Sequence, residues 1–355
     1  MFYLPGGLPV DYVERFAKHA APPLNTLGRD PINGWVTHRH LLDRNITEES
    51  AHMAGYLFLT LMKAERRVPP ALLNAEFRME ELAHLQADGK SFLKRAERIE
   101  IRKQVVERLL PQMPPQLTGI PVVYDPDGQM LLAQAMSDKQ ADAFMLSVKE
   151  TLGQMPIAVT PENAALRRKQ VNHRDLSSTS FSPECPDSDG GDALGLDFLT
   201  WLWFFSEMQG GTIASKGLGE FGLMLEGPLT FVREGAGAYE AVLRKGSPLI
   251  ASEARAALLA GKKLASATLN IARGEESWRG GLDASAFRFR GWRLPKGDAV
   301  DPVGRFQERI LALQTLTGMT LELFDRFLEV RSSAAAWRKE QAQIHKWVLE
   351  RQAKA

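Results

Sequence analysis

The chain is short of the features that mark disulfide-built, membrane-spanning or strongly basic proteins. Cysteine occurs once, at Cys185, so no intrachain disulfide framework can form, and that usage suits a reducing cytosol. Cys185 lies in a polar, proline-containing segment, a poor setting for a catalytic thiol. No apolar run reaches the roughly 18–20 residues that a membrane-crossing helix needs, and no signal-peptide pattern opens the sequence. The most apolar stretch, Leu194 to Phe205, is too short and is followed by polar residues. Neither sign of charge is in excess: 44 Lys and Arg stand against 43 Asp and Glu, a net +1. A small basic DNA-binding module would be far from that balance, so any contact with nucleic acid has to come from a local patch on a neutral body.

Catalytic signatures are also missing. There is no GxSxG, no HExxH, no P-loop and no paired carboxylate motif tied to histidine. The seven histidines, His19, His38, His40, His52, His84, His173 and His345, are scattered. His38-Arg39-His40 has no partner cluster at ligand spacing. Asp187, Asp189 and Asp192 lack the further spacing of an EF-hand and read as a solvated linker. Gly217 to Gly222 has the spacing of a dinucleotide fingerprint but lacks the strand before it and the long helix after it. The expectation is therefore a protein without catalytic, cofactor or metal residues. An enzyme reading survives only through a site assembled from distant residues.

What is present points to two domains, since 355 residues exceed what one core usually serves. Residues 1–166 read as an α+β domain, 167–192 as a linker or mobile loop rich in Ser, Asp, Pro and Gly, and 193–355 as a second α+β domain. Strands are expected at Met1 to Leu4, Gly34 to Val36, Gly55 to Lys63, Ile120 to Tyr124, Met130 to Ala135 and Met155 to Val159, with hairpin chemistry at Asp125-Pro126-Asp127-Gly128. Helices are expected at Pro9 to Ala20, from Pro70 to about Ala87, and from Ser137 to Leu152. In the second half, Leu194 to Met208 reads as a buried or interface helix, Ser252 to Leu259 as a short helix, and Asp301 to Val330 with Ala334 to Ala355 as a helical hairpin. Leu223 to Val232 and Lys263 to Ile271 read as strands. From Ala286 to Leu294, Phe287 and Phe289 alternate with Arg288 and Arg290, so the basic side is either solvated or a phosphate surface. The fold class is α+β, with mainly antiparallel sheets, long charged helices and a C-terminal helical pair.

The most informative stretch is Gly89 to Asp125, a charged helix running through a proline-punctuated tip into an apolar strand. At about 100° per residue, Lys90, Lys94, Arg95, Arg98, Arg102 and Arg108 share one arc. Glu97, Glu100, Gln104 and Glu107 fill a second arc, while Phe92, Ile99, Val106 and Leu110 form an apolar seam. Ile101, Val105 and Leu109 intrude on the basic arc. The seam is expected to pack, leaving either a phosphate-binding stripe or an ordinary solvated charged face.

Several of these stretches, in order, resemble the recombination-associated RdgC family. They are Gly34-Trp35-Val36, Arg67-Val68-Pro69-Pro70 before a helix, Val105 to Pro111 with the following strands, Ser147 to Ala158, Phe198 to Leu202, and Ala260-Gly261-Lys262 before a strand. The chain resembles a longer member whose N-terminus looks shortened. The resemblance implies a non-catalytic protein of the cytoplasm and nucleoid. It would bind double-stranded DNA without sequence preference, form a ring-like homodimer, and antagonise a RecA-type recombinase by occupying DNA. The DNA-contacting residues would be Lys90, Lys94, Arg95, Arg98, Arg102, Lys245, Arg288 and Arg290. Gln116 and Leu117 would form the dimer or finger tip, where the family carries an Arg and a nearby Phe. Lys245 stands nearest to a family Lys-Gln pair. The weakened tip motivates the alternative, a dimeric assembly or interaction protein of the same fold that has lost strong DNA binding.

Overall fold

A computed structural model describes residues 1–89, 91–134, 136–187, 194–233 and 240–350. The chain divides into two compact units, one of Leu4–Pro156 and one of Met1–Tyr3 with Ile157–Ala355. The two-residue strand β1 (Phe2–Tyr3) belongs to the latter, where it pairs antiparallel with β7 (Ile157–Ala158).

The unit of residues 4–156 carries α1 (Tyr12–Lys18), β2 (Ile32–Thr37), α2 (Glu48–Ala51), β3 (His52–Met53), β4 (Tyr56–Glu65), α3 (Pro70–Asp88), α4 (Arg95–Leu109), β5 (Gln116–Asp125), β6 (Met130–Ala133) and α5 (Asp138–Leu152). Its strands lie in the order β2-β4-β5-β6, each pair antiparallel, and β3 turns back on the start of β4. One interior gathers Phe16, Trp35, Leu59, Val122, Phe144 and Val148, so α1 and α5 cover one face of the sheet. The polar edge of Trp35 is satisfied there, because its indole N–H donates to Thr151 Oγ1 at 2.8 Å. A second buried cluster holds Ala21, Leu27, Val36, Met62 and Ala64, with Leu117 packed against it. Glycine is required at position 34, since an added Cβ would stand 2.3 Å from the Ala21 Cα. Ser137 caps α5 and Gln140 reciprocates, as a capping box requires.

The unit containing residues 157–355 carries α6 (Pro161–Lys169), α7 (Leu194–Met208), β8 (Thr212–Ser215), β9 (Gly219–Val232), β10 (Ala241–Leu243), α8 (Ser252–Leu259), β11 (Lys263–Arg273), β12 (Glu276–Asp283), β13 (Arg288–Arg293), α9 (Pro302–Arg331) and α10 (Ala334–Glu350). Its antiparallel sheet runs β10-β9-β11-β12-β13, with β8 beside β9. Helix α7 lies on β11 and β9, and α9 and α10 lie against α7. This explains its apolar composition: from Phe198 to Phe205 every side chain is buried, and Phe198 meets Phe287 and Phe324 edge-on.

The polar stretch after α6 is irregular, yet Thr179, Ser180, Phe181 and Ser182 are buried. Thr179 accepts from the Trp337 indole, and the Arg331 guanidinium donates to Ser177 O at 2.6 Å. Beneath it sits a buried ion cluster. Asp197 lies 2.6 Å from Lys263 Nζ and 3.5 Å from Arg331 Nε, and burial pulls the Arg331 pKa below the usual guanidinium range.

The fold is thus α+β with two mainly antiparallel sheets. One strand reading needs correction. Phe287 is not in phase with Phe289 on a strand. It occupies the four-residue turn between β12 and β13 at φ 42°, fully buried. Its aromatic contacts with Phe198 and Phe324 hold it inward, and the strand starts at Arg288.

Candidate nucleic-acid interface

Helices α3 and α4 form a helical hairpin inserted between β4 and β5. Those strands remain paired up to Glu65 opposite Gln116, so the insertion leaves from and returns to adjacent backbone. Pro70 starts α3 at its first position, and Gly89 ends it in the left-handed conformation at φ 60°. Lys94 stands at the N-cap of α4, its backbone N–H donating to Glu97 Oε2 at 2.7 Å. Over residues 66–112 the sequence holds ten Lys or Arg and seven Asp or Glu. The hairpin therefore carries a local excess of three positive charges on a near-neutral chain.

The seam that packs is not the expected one. Ile101, Val105 and Leu109 are the buried residues of α4, and they meet Val68, Leu72, Leu73, Phe77 and Leu93. Phe92 and Ile99 are left 72% and 59% exposed. The reason is that α3 offers its apolar side together with Glu76, Glu80 and Glu81. The α4 face that fits has an apolar centre and basic flanks, which is the arc carrying the arginines.

Those arginines are consequently engaged. Arg98 Nε lies 3.1 Å from Glu81, which also takes Arg78 at 2.5 Å, and Glu81 itself is only 6% exposed. Arg108 lies 2.9 Å from Glu76 and 3.1 Å from Glu80. Arg102 donates to Asn74 Oδ1 at 3.4 Å, and with Arg98 its guanidinium lies over the Phe77 ring. Lys94, Arg95 and Lys103 are exposed and have no carboxylate at salt-bridge distance among the described residues. Lys90 lies outside the described residues. Lys103 is a cation that arc counting passed over, because it falls between the apolar seam and the acidic arc. Glu100 and Glu107 stand one helical turn from it on either side, but Glu107 is taken by Arg29 and Glu100 accepts from Gln104.

Gln116 and Leu117 do not form a tip. They open β5, paired with Glu65 and Ala64 at the base of the insertion, and Leu117 packs on the Met62 and Ala64 cluster. The helices α3 and α4 leave from that base and return to it. Beside the base, the Glu65 carboxyl is held below the usual carboxylate range, first by hydrogen bonding from Lys63 and also by Arg67.

The other expected cations are spread over the second sheet. Lys245 is exposed in the bend after β10, next to a cleft of about 480 Å³ lined by Arg244, Gly246 and Arg279. Arg288 and Arg290 lie on β13, at the opposite edge from β10. Arg290 is tied to Asp283 at 3.0 Å, and Arg288 is half-buried. Four strand spacings of about 4.8 Å separate the edges, so Lys245 and the β13 arginines do not form one patch. Among the described residues no group of three or more His, Cys, Asp or Glu is placed to hold a metal ion, and Asp187 instead accepts from Ser180 N and Gln341. Asp189 and Asp192 lie outside those residues. No described helix is long and apolar enough to cross a membrane.

An α+β unit whose sheet carries a charged helical hairpin between paired strands is the class these observations define. Residues 14–169 match the family model described as "RdgC: Putative exonuclease, RdgC". The chain is similar to proteins named recombination-associated protein RdgC. Over 107 residues it is 28% identical to that of Pseudoalteromonas atlantica, covering 30% of this chain and 35% of the relative. Over 138 residues it is 24% identical to that of Proteus mirabilis, covering 39% and 44%. Over 106 residues it is 26% identical to that of Psychromonas ingrahamii, covering 30% and 35%. The likeness to the RdgC family lies in the first unit and the helix that follows it. The matched stretches span 35% to 44% of these relatives' lengths.

Proposed function

We propose that the protein binds double-stranded DNA without sequence preference and modulates RecA-type homologous recombination by occupying it, as a homodimer associated with the nucleoid. The observation that carries this reading is the local charge excess of the α3–α4 hairpin, in a chain whose named relatives are recombination-associated. Lys94, Arg95 and Lys103 are the primary phosphate contacts, because no described carboxylate lies at salt-bridge distance from them. Arg98 and Arg102 are secondary, since both are engaged on α3. Lys90 stays in the set from the basic arc of the sequence, Lys245 as an exposed cation after β10, and Arg288 and Arg290 as weaker candidates. Phosphate-directed contact reads charge rather than bases, so affinity should be indifferent to sequence and fall steeply with salt.

The test is fluorescence anisotropy on two unrelated duplexes across a salt series. Lys94→Glu with Arg95→Glu and Lys103→Glu is expected to weaken binding to both duplexes alike. It should also flatten the salt slope by about 0.9 for each phosphate no longer neutralised. Unchanged affinity, or strong preference for one duplex, refutes it. The neutralised arginines favour a second reading, a dimeric interaction protein of the same fold. That reading gains if a stable dimer retains no duplex at low salt. The family description as an exonuclease is tested in the same tubes, by adding Mg²⁺ or Mn²⁺ and following cleavage.

A further inference from the structure

Because α4 packs through Ile101, Val105 and Leu109, the seam read from the sequence is turned outward, with Ile99 exposed and Val106 and Leu110 half-buried. Ile99, Val106 and Leu110 line an open groove of about 440 Å³, with Arg29, Arg102 and Lys103 along it. Its one carboxylate, Glu107, is already engaged by Arg29 at 3.2 Å. An aliphatic floor is exposed to water, and among the charged residues that line it Arg29 and Glu107 cancel while Arg102 and Lys103 stay unpaired with any described carboxylate.

We infer that this groove docks an acidic amphipathic helix of a partner protein, with apolar residues at i, i+3 or i+4 and i+7 laid on the floor and carboxylates facing the rim. From Ile99 to Leu110 the floor extends about 16 Å along α4, which matches three turns of such a helix. The chemistry discriminates between occupants. A hydrated phosphate backbone gains nothing from an aliphatic floor. A second copy meeting this face across a two-fold axis would set the cationic rims against each other, with both Glu107 side chains already paired. An acidic helix satisfies floor and rim together. The inference does not depend on duplex binding by Lys94 and Arg95.

The probe is a fluorescein-labelled amphipathic peptide of ~18 residues, about five helical turns, with Leu on one face and Glu on the other. Two companions accompany it: the same peptide with Lys for Glu, and a scrambled version of equal charge. Full-length protein is expected to bind the acidic amphipathic peptide at least tenfold more tightly than either companion. Ile99→Asn should remove that preference, and Lys103→Glu should weaken the acidic peptide but not its Lys companion. Ile99 is 59% exposed and Ile99→Asn adds no charge, so it should leave thermal unfolding and duplex affinity unchanged. Equal binding of the scrambled peptide, or no binding at low salt, overturns the inference. Loss of duplex binding by Ile99→Asn would assign the face to DNA, and a halved solution mass would assign it to a second copy; either overturns it too.

Discussion

Glu81→Gln should lower stability and raise DNA affinity at once. Glu81 is buried between two guanidinium groups, Arg78 at 2.5 Å and Arg98 at 3.1 Å, and it joins α3 to α4. Removing one partner of a fully buried pair costs about 3–5 kcal/mol. Here the arginine side chains are 65% and 54% exposed, so water takes over much of what the carboxylate did. The substitution also relieves the desolvation of a buried charge. The expected net loss is therefore about 1 kcal/mol, or about 2–4 °C in the unfolding midpoint of a unit near this size. The same change releases Arg98 and raises the charge excess of the hairpin by one. If Arg98 then reaches a phosphate, the slope of log K against log salt steepens by about 0.9, a further fall of about 3.5-fold between 50 and 200 mM salt. The assay pairs thermal unfolding with duplex anisotropy on wild type, Glu81→Gln, Arg98→Gln and the double variant. The double variant should return the slope to the wild-type value, closing the cycle. A lower midpoint with no change in slope would place Arg98 out of reach of the duplex. An unchanged midpoint would mean that the carboxylate does not join the helices.

Three further outcomes follow from packing and titration. Val105→Ala removes apolar bulk from a position 2% exposed and should cost about 2 kcal/mol in denaturant unfolding, whereas Ile99→Ala, already 59% exposed, should stay within about 0.5 kcal/mol; reversed costs would restore the seam read from the sequence. Gly34→Ala forces a Cβ to within 2.3 Å of the Ala21 backbone and should destabilise by about 1–3 kcal/mol, read as a lower midpoint. His38 stacks on Phe58 with its ring partly buried, and desolvation lowers its pKa below the ordinary imidazole range. The unfolded chain then binds the proton more readily, so this contribution is present above about pH 6.5 and is lost as pH falls through that value. A pH series should show wild type losing more stability than His38→Gln between about pH 7.5 and 5.5; parallel curves refute it.

The strands and helices with strong local signals were legible. Tyr56 to Glu65 is a run of aromatic and branched residues, Ser137 and Gln140 form a cap, and the Trp and Phe content of α7 announces burial. Strand β12 was not, because its sequence ESWRGGLD has two glycines and little β-branched character. It is held by pairing on both sides and by Trp278, whose indole donates to Ala312 O of α9. Phe287 was misread for a related reason: alternation reports local phase, and a tertiary aromatic cluster overrode it.

The candidate site was legible in part, and the missing part is the neighbour. Arc counting on α4 located its arginines correctly but could not say which arc faces protein. The information lay one helix earlier. A short link of residues 89–94 between two helices implies an antiparallel pair. Folding α3 back on α4 then brings Glu81 to Arg98, and Glu76 and Glu80 to Arg108. Once those carboxylates are placed, a count of positive residues stops measuring attraction for a polyanion. What matters is how many cations remain after each glutamate has taken its arginine. On that measure the weight moves from Arg98 and Arg102 to Lys94, Arg95 and Lys103. Charge reversal at those three positions should then weaken duplex binding more than the same reversal at Arg98 and Arg102, and the opposite ranking would mean that DNA displaces the α3 carboxylates on binding.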